Sequence, residues 1–473
     1  MRFFVTLLAP IITLSPSLFG ADAKLPPEMQ SLVNHISAAS LRGHLSFISS
    51  DLLEGRMTPS RGLDLAAEYI AAQFRRAGLE PIGDDGYFQT ATLAVREPNW
   101  TGFEMSITAG GKTVKIEKED VYLLPERPLS LDNIPMVAWG GGTPSPEQIN
   151  GKVVYVGDLR AARGLRGYQP ALVFVANTSG APQPALVDPE VNSRRPAMSI
   201  LSRGDVGELL KDPGARVTLH MAASVDHQVK VRNVAAVLRG SDPALRDTYV
   251  MLTAHYDHIG TRTTGEDRIF NGANDDGSGT VSVIEIANAL ASMRPRPKRS
   301  VLFVTFFGEE LGSVGAKYYG RHPLVPLAKT IADLNLEQIG RTDAANGKQI
   351  SNASVTGFDF SDLPQVLMEE GQRVGVKVYK DEQASDAFFS RSDNQPLADA
   401  GIPAHTLCVA FEFPDYHQVG DHWQKIDYDN MAKVDRAVAL GLLHLASDAP
   451  PPKWNESNSA AKKYVDAAKK LHP

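Results

Sequence analysis

Apolar residues recur along this chain in different rhythms, and the changes of rhythm divide it. From Leu41 to about Pro81 the spacing is helical: Leu65, Ala66, Tyr69, Ile70, Gln73 and Phe74 fall on one side with one polar intruder. Gly78 closes that run where a helix needs its C-terminal glycine. From about Arg96 to Val231 the runs are short, as in MSITA, MVAWG, KVVYVGD and ALVFVAN, and Gly, Pro and Asn separate them. That is the pattern of a small β-rich domain. After Asn233 apolar strands alternate with helical stretches, TYVMLTA, GTVSVIEIANALASM, SVLFVTFF, SVGAKYYGRH and TIADLNL, until an apolar helix ends near Leu445. The alternation predicts an α/β fold with a mixed central sheet, helices on both faces and an inserted β-rich domain. The expected divisions are 24–95 and 232–448 for the main domain, 96–231 for the insert, and 449–473 for a stiff APPPKW linker with an exposed helix or tail.

A chain of 473 residues exceeds what one hydrophobic core usually organises, which agrees with an insertion. With 48 Lys and Arg against 55 Asp and Glu, the net charge is −7 and no basic run interrupts the balance, so nucleic acid is excluded as a partner. The opening MRFFVTLLAPIITLSPSLFGADA sets one Arg before an apolar run broken by Pro10 and Pro16. It reads as a signal peptide over 1–23 cleaved after Ala23, too short to be a membrane anchor, which predicts a periplasmic or secreted protein. Cys408 is the single cysteine; in HTLCVAF it reads as a buried core residue rather than a nucleophile.

In the third block each polar cluster begins as an apolar strand runs out, the edge where α/β sheets place their sites. In AHYDHIG, His255 and Asp257 are two apart and project to one side of a strand. Asp257 is placed to hold the second ring nitrogen of His255. GANDDGSG sets Asp275 and Asp276 ahead of a helix, where they read as metal carboxylates or equally as a helix cap. SVLFVTFFGEELGS runs a buried strand into Glu309 and Glu310, adjacent like charges that are costly unless a cation offsets them or solvent reaches them. Asn335 and Glu337 end TIADLNLEQIGR, and FEFPDYHQVGDHW presents His417 with Asp421 four residues on. The five candidate ligands His255, Asp275, Glu310, Glu337 and His417 offer only nitrogen and oxygen, the donor set of catalytic zinc sites. His258, His405 and His422 are read as non-ligands beside better-placed neighbours.

The order His-x-Asp, Gly-Ala-x-Asp, Glu-Glu, a lone acid, then Tyr-His resembles the M28 family of zinc exopeptidases, from about Leu41 to Leu445. The resemblance implies two zinc ions bridged by Asp275, one held also by His255 and Glu337, the other by Glu310 and His417. It makes Glu309 the general base of a two-zinc-activated water, makes Asp257 the residue that orients His255, and places Asp276 across the next peptide bond. GKVVYVGD, ALVFVAN and RPAMSILSRGDVGELL are similar to the protease-associated domain that members carry as an insertion, and LEGRMTPSRG is similar to the lead of bacterial members. In RSDNQPLADAGIPA, Asn394 stands where the family stretch normally reads His. Glu337 stands where many members have Asp. The resemblance implies an exported aminopeptidase acting on peptide substrates. A carboxypeptidase or glutaminyl cyclase on the same scaffold, or a non-catalytic receptor-like relative, are the alternatives. Arg341 and Arg391 are the only arginines near the site motifs, which favours binding of an amine over a carboxylate.

Overall fold

The computed structural model describes residues 25–157, 161, 162, 164, 165, 167–176, 185–191, 198–201 and 209–472. The leader expected over 1–23, its cleavage point at Ala23 and part of RPAMSILSRGDVGELL lie outside them.

The main body is a ten-stranded mixed sheet. Its principal strands are β1 (Phe88–Glu97), β2 (Val225–Leu238), β3 (Tyr249–His255), β4 (Ser300–Phe306), β5 (Thr330–Leu336), β6 (Asn352–Val355), β7 (Lys377–Tyr379) and β8 (Ala404–Cys408), in the spatial order β7-β6-β8-β5-β3-β4-β2-β1. The four central strands β8, β5, β3 and β4 run parallel, whereas β2 joins β4 antiparallel and β6 joins β8 antiparallel. Every residue of β3 and β4 is buried, as a strand covered on both faces requires.

Side chains alternate between two cores. Val250, Leu252 and Ala254 of β3 point into one, and Tyr249 and Met251 into the other. The first face is covered by α1 (Pro27–His35), α2 (Ala38–Ile48), α3 (Arg61–Arg76), α4 (Gly279–Ser292), α6 (Leu363–Arg373) and α8 (Tyr428–Leu445). The second is covered by α5 (Val314–Arg321), α7 (Asn394–Asp399) and α9 (Lys462–Leu471). The apolar stripe of α3 sits one position from where the spacing put it. Leu63, Ala66, Ala67, Ile70, Ala71 and Phe74 are buried, while Leu65 is 40% exposed. Gly78, at φ +72°, ends the helix as expected, with the Leu79 amide donating to the Phe74 carbonyl.

A second sheet of eight strands lies between Glu104 and Met221, around its own core of Met105, Ile107, Phe174, Val217 and Leu219. β1 and β2 form the ribbon that leads to it and back, paired from Phe88 opposite Val234 to Glu97 opposite Val225. The boundaries expected at 96 and 231 fall inside this ribbon, and Val231 belongs to the main core. Ala185–Val187 returns from the insert to pair with β1 at the edge of the main sheet.

The C-terminal segment differs from the exposed tail expected over 449–473. Trp454, Tyr464 and Val465 are buried in the second core, Trp454 stacks on Tyr464 at 4.9 Å, and its indole N–H donates to the Gly401 carbonyl. The residues that receive them, Phe360 and Phe389, lie 65 to 105 positions earlier. No described helix is long and apolar enough to cross a membrane.

Candidate metal centre

The parallel register fixes where the polar clusters meet. His255 pairs with Phe306, Thr253 with Asn335, and Leu336 with Leu407, so the segments that follow β3, β4, β5 and β8 emerge at one edge of the sheet. Asp275 arrives there in the turn Ala273–Ser278 that leads into α4, with a cis peptide to Asp276.

All five expected ligands come together. Asp275 Oδ1 is 3.5 Å from His255 Nε2, and its Oδ2 is 3.1 Å from His417 Nε2. His417 Nε2 is also 3.2 Å from Glu310 Oε2. His255, Asp275 and Glu337 each offer an atom within 4.8 Å of the others, and so do His258, Asp275 and Glu310. His258, read from the sequence as a non-ligand, is therefore part of the cluster, with Nδ1 2.7 Å from Glu310 Oε1. A second histidine three residues after His255 gave no sign of this, because the turn that reverses it toward Glu310 carries no pattern of its own. His405 and His422 stand apart: His405 is bonded to Ser361 and Thr356, and His422 lies 3.4 Å from Asp267.

The cluster is buried and short of hydrogen bonds. His255 Nε2 and His258 Nε2 have no hydrogen-bond partner, and the close approaches of His258 Nδ1 to Glu310 Oε1 and of His417 Nε2 to Asp275 Oδ2 lack hydrogen-bond geometry. Polar atoms left so at one place suit a cation rather than each other. The charges answer one another. Burial disfavours charge on His417, but Asp275 and Glu310 hold it up to about 10, and against the same burial His255 and His417 hold Asp275 well below the carboxylate range. Burial raises the carboxyls of Glu309 and Glu337.

Asp257, expected to orient His255, meets it chiefly through its main chain. Its carboxylate lies 3.5 Å from His255 Nδ1, but its backbone carbonyl is closer, at 3.2 Å, and Oδ1 accepts the Glu309 amide at 3.1 Å. It joins the end of β3 to the acid pair after β4. Three side chains hold the ligand-bearing turns, of which only Asp276 had a reading from the sequence, as a helix cap or metal carboxylate. Asp421 accepts the backbone N–H of Asn274 and Asp275 and so fixes the turn bearing Asp275. Asp276 Oδ1 accepts the amides of Gly279 and Gln338, tying that turn to the segment after Glu337. Arg56, fully buried, donates to the carbonyls of Ile48, Tyr256, Asn271 and Gly272 and binds the two ligand-bearing loops together. Asp421 and Arg56 both lie in stretches the sequence singled out, but contacts to main-chain atoms leave no side-chain signature.

Asp275, Glu309, Glu337 and His417 border a cavity of about 50 Å³ whose far wall includes Thr356, Phe388, Arg391 and Phe411. Asn394, in the place of a histidine, donates to the carbonyls of Phe389 and Ala404 and accepts from Thr406, which keeps it structural. Cys408 is buried, as expected.

The description of peptidase family M28 matches residues 233–441. A Leptosphaeria maculans protein described as a probable zinc metalloprotease is 40% identical over 270 residues, covering 49% of this chain and 60% of the relative. An Arabidopsis thaliana protein described as a probable glutamate carboxypeptidase is 26% identical over 272 residues, covering 52% of this chain and 35% of the relative. The chain thus spans well under two thirds of these curated relatives. Among solved structures, an aminopeptidase from Aneurinibacillus sp. strain AM-1 superposes with a TM-score of 0.61 at 18% identity, over 90% of this chain and 97% of that one, a likeness of fold.

Proposed function

Residues 233–441 belong to peptidase family M28, and from that premise we propose that the chain is an exported zinc aminopeptidase that removes single residues from the N-termini of peptides. Export is inferred from the charged-then-apolar opening of the sequence. The observation that carries the reading is the division of Asp275, one oxygen toward His255 and the other toward His417. A carboxylate so placed has an oxygen for each of two cations. His255 and Glu337 complete one set, and Glu310 and His417 the other, with His258 beside the second. Bound there, zinc supplies Lewis acidity toward a carbonyl oxygen and lowers the pKa of water.

The chain's own residues do the rest. Glu309 borders the cavity without belonging to either ligand set. Burial raises its carboxyl above the usual carboxylate range, the direction that favours a group which takes up a proton and gives it back. In this reading it takes the proton of the attacking water and delivers it to the departing amine. Its amide, held by Asp257, keeps it in register with His255.

Zinc content and hydrolysis of aminoacyl-anilides, measured before and after chelation, test the proposal. We expect two zinc ions per chain and activity that returns with zinc. Glu309→Gln is expected to keep both ions and lose on the order of a thousandfold in turnover. Near-normal turnover in that variant refutes the assignment of the base.

A further inference from the structure

We infer that the cavity beside the metal centre selects a substrate carboxylate through Arg391, so that the residues removed are N-terminal glutamate and aspartate. The inference deepens the aminopeptidase reading and rests on it.

The far wall of the cavity is built from two half-buried aromatic rings, Phe388 and Phe411, stacked at 4.9 Å with 29° between their planes. The guanidinium carbon of Arg391 lies 4.3 Å from the centre of the Phe388 ring. The Arg391 amide donates to the Phe388 carbonyl at 3.0 Å, so both ends of the side chain are anchored on the same residue. The other charged groups bordering the cavity, apart from His417, are the acids Asp275, Glu309 and Glu337. Arg341, the second arginine near the site motifs, is already committed: its fork binds Asp343 at 2.8 and 2.6 Å and Asp415 at 2.8 Å. Arg391 has no such carboxylate among the described residues.

A planar guanidinium held against an apolar wall, with its donors free, matches a carboxylate and matches nothing else in a side chain as well. Thr356 stands on the same cavity, its hydroxyl oxygen accepting the Thr406 amide and its proton left to give. A leucine side chain would cover the guanidinium without pairing it, and a lysine would be repelled. In the aminopeptidase reading the residue seated beside the metal centre is the N-terminal one, so the carboxylate is assigned to its side chain.

The test uses the full chain loaded with zinc and compares kcat/KM for Glu-, Gln-, Leu- and Lys-p-nitroanilide, with N-acetyl-Ala-Glu as the C-terminal arm. Glu and Gln differ by the charge alone. We expect Glu to exceed Gln by tenfold or more, chiefly through KM. Arg391→Gln should bring the Glu-to-Gln ratio to about one, and Arg391→Lys should recover part of it. Cleavage of Gln- or Leu-anilide with no preference for Glu overturns the inference alone. So does an Arg391→Gln variant that lowers all substrates equally. Release of Glu from N-acetyl-Ala-Glu with the anilides untouched overturns the side-chain assignment and the aminopeptidase reading. A zinc-loaded chain that cleaves none of them overturns the peptidase reading itself.

Discussion

Arg56 places a positive charge at the point where three loops meet, with four main-chain carbonyls and no carboxylate as its hydrogen-bond partners. Burial pulls its guanidinium down to about 10, so it is charged at neutral pH, and Asp257, Asp421, Asp276 and Asp275 favour that charge. Arg56→Met keeps the bulk and removes every donor. The carbonyls of Ile48, Tyr256 and Asn271 then lose this donor, while Gly272 keeps the Gly277 amide, which is expected to cost about 3–5 kcal/mol of stability. The two ligand loops also lose their common tie, so zinc affinity should drop by about 10–100-fold. Chemical unfolding and competition with a chromophoric chelator measure the two effects; unchanged zinc affinity refutes the positioning role. At this scale the sequence was most legible where chemistry needs a particular side chain. His255, Glu310 and Glu337 could be picked out because apolar strands run into them, and Asp275 and His417 from their place in the order of polar clusters. Arg56, Asp421 and His258 could not, since what they do depends on loop conformation.

Among the elements, β8 is stapled to its neighbours by one histidine. His405 Nδ1 donates to the Thr356 carbonyl at 2.8 Å, so its Nε2 accepts from the Ser361 hydroxyl at 2.7 Å. That tautomer is neutral, and burial lowers the ring to about 4. The unfolded chain takes up a proton below about pH 6.5 while the folded chain does not. The contribution is therefore complete above that pH, declines on acidification and is lost below about pH 4, a change of about 3 kcal/mol. His405→Gln keeps a donor and an acceptor but cannot titrate. The stability gap between the two proteins in urea should be widest at pH 7.5 and narrow at pH 4.5; parallel curves would refute this. The parallel core of the sheet was readable because long apolar runs mark strands buried on both faces. The stripe of α3 slipped by a position because Leu65 is apolar but faces out, which composition allows at any surface. α9 was misread because its few apolar residues are scattered among lysines, and the face they cover is distant in sequence.

For the molecule as a whole, the order of the polar clusters along the chain was visible from the start, while their meeting point was set by the crossovers of the parallel strands. The insert reaches toward that point through a loop: Leu124 and Arg127 share a cavity of about 560 Å³ with Leu311 and Gly312, the two residues that follow Glu310. Yet the covalent traffic between the two sheets passes through the β1–β2 ribbon, whose outer end sets Glu97 opposite Val225. A surgeon's cut at that point is simple: replacing residues 98–224 with Asn-Gly closes the ribbon as an ordinary hairpin. The shortened enzyme should still take up zinc and hydrolyse a small anilide, and it should accept longer peptides that the full chain turns away. It should also clump more readily, since losing Ala185–Val187 bares the outer edge of β1. If instead it neither folds nor takes up metal, the small sheet is a partner in folding the large one rather than a fence around its mouth.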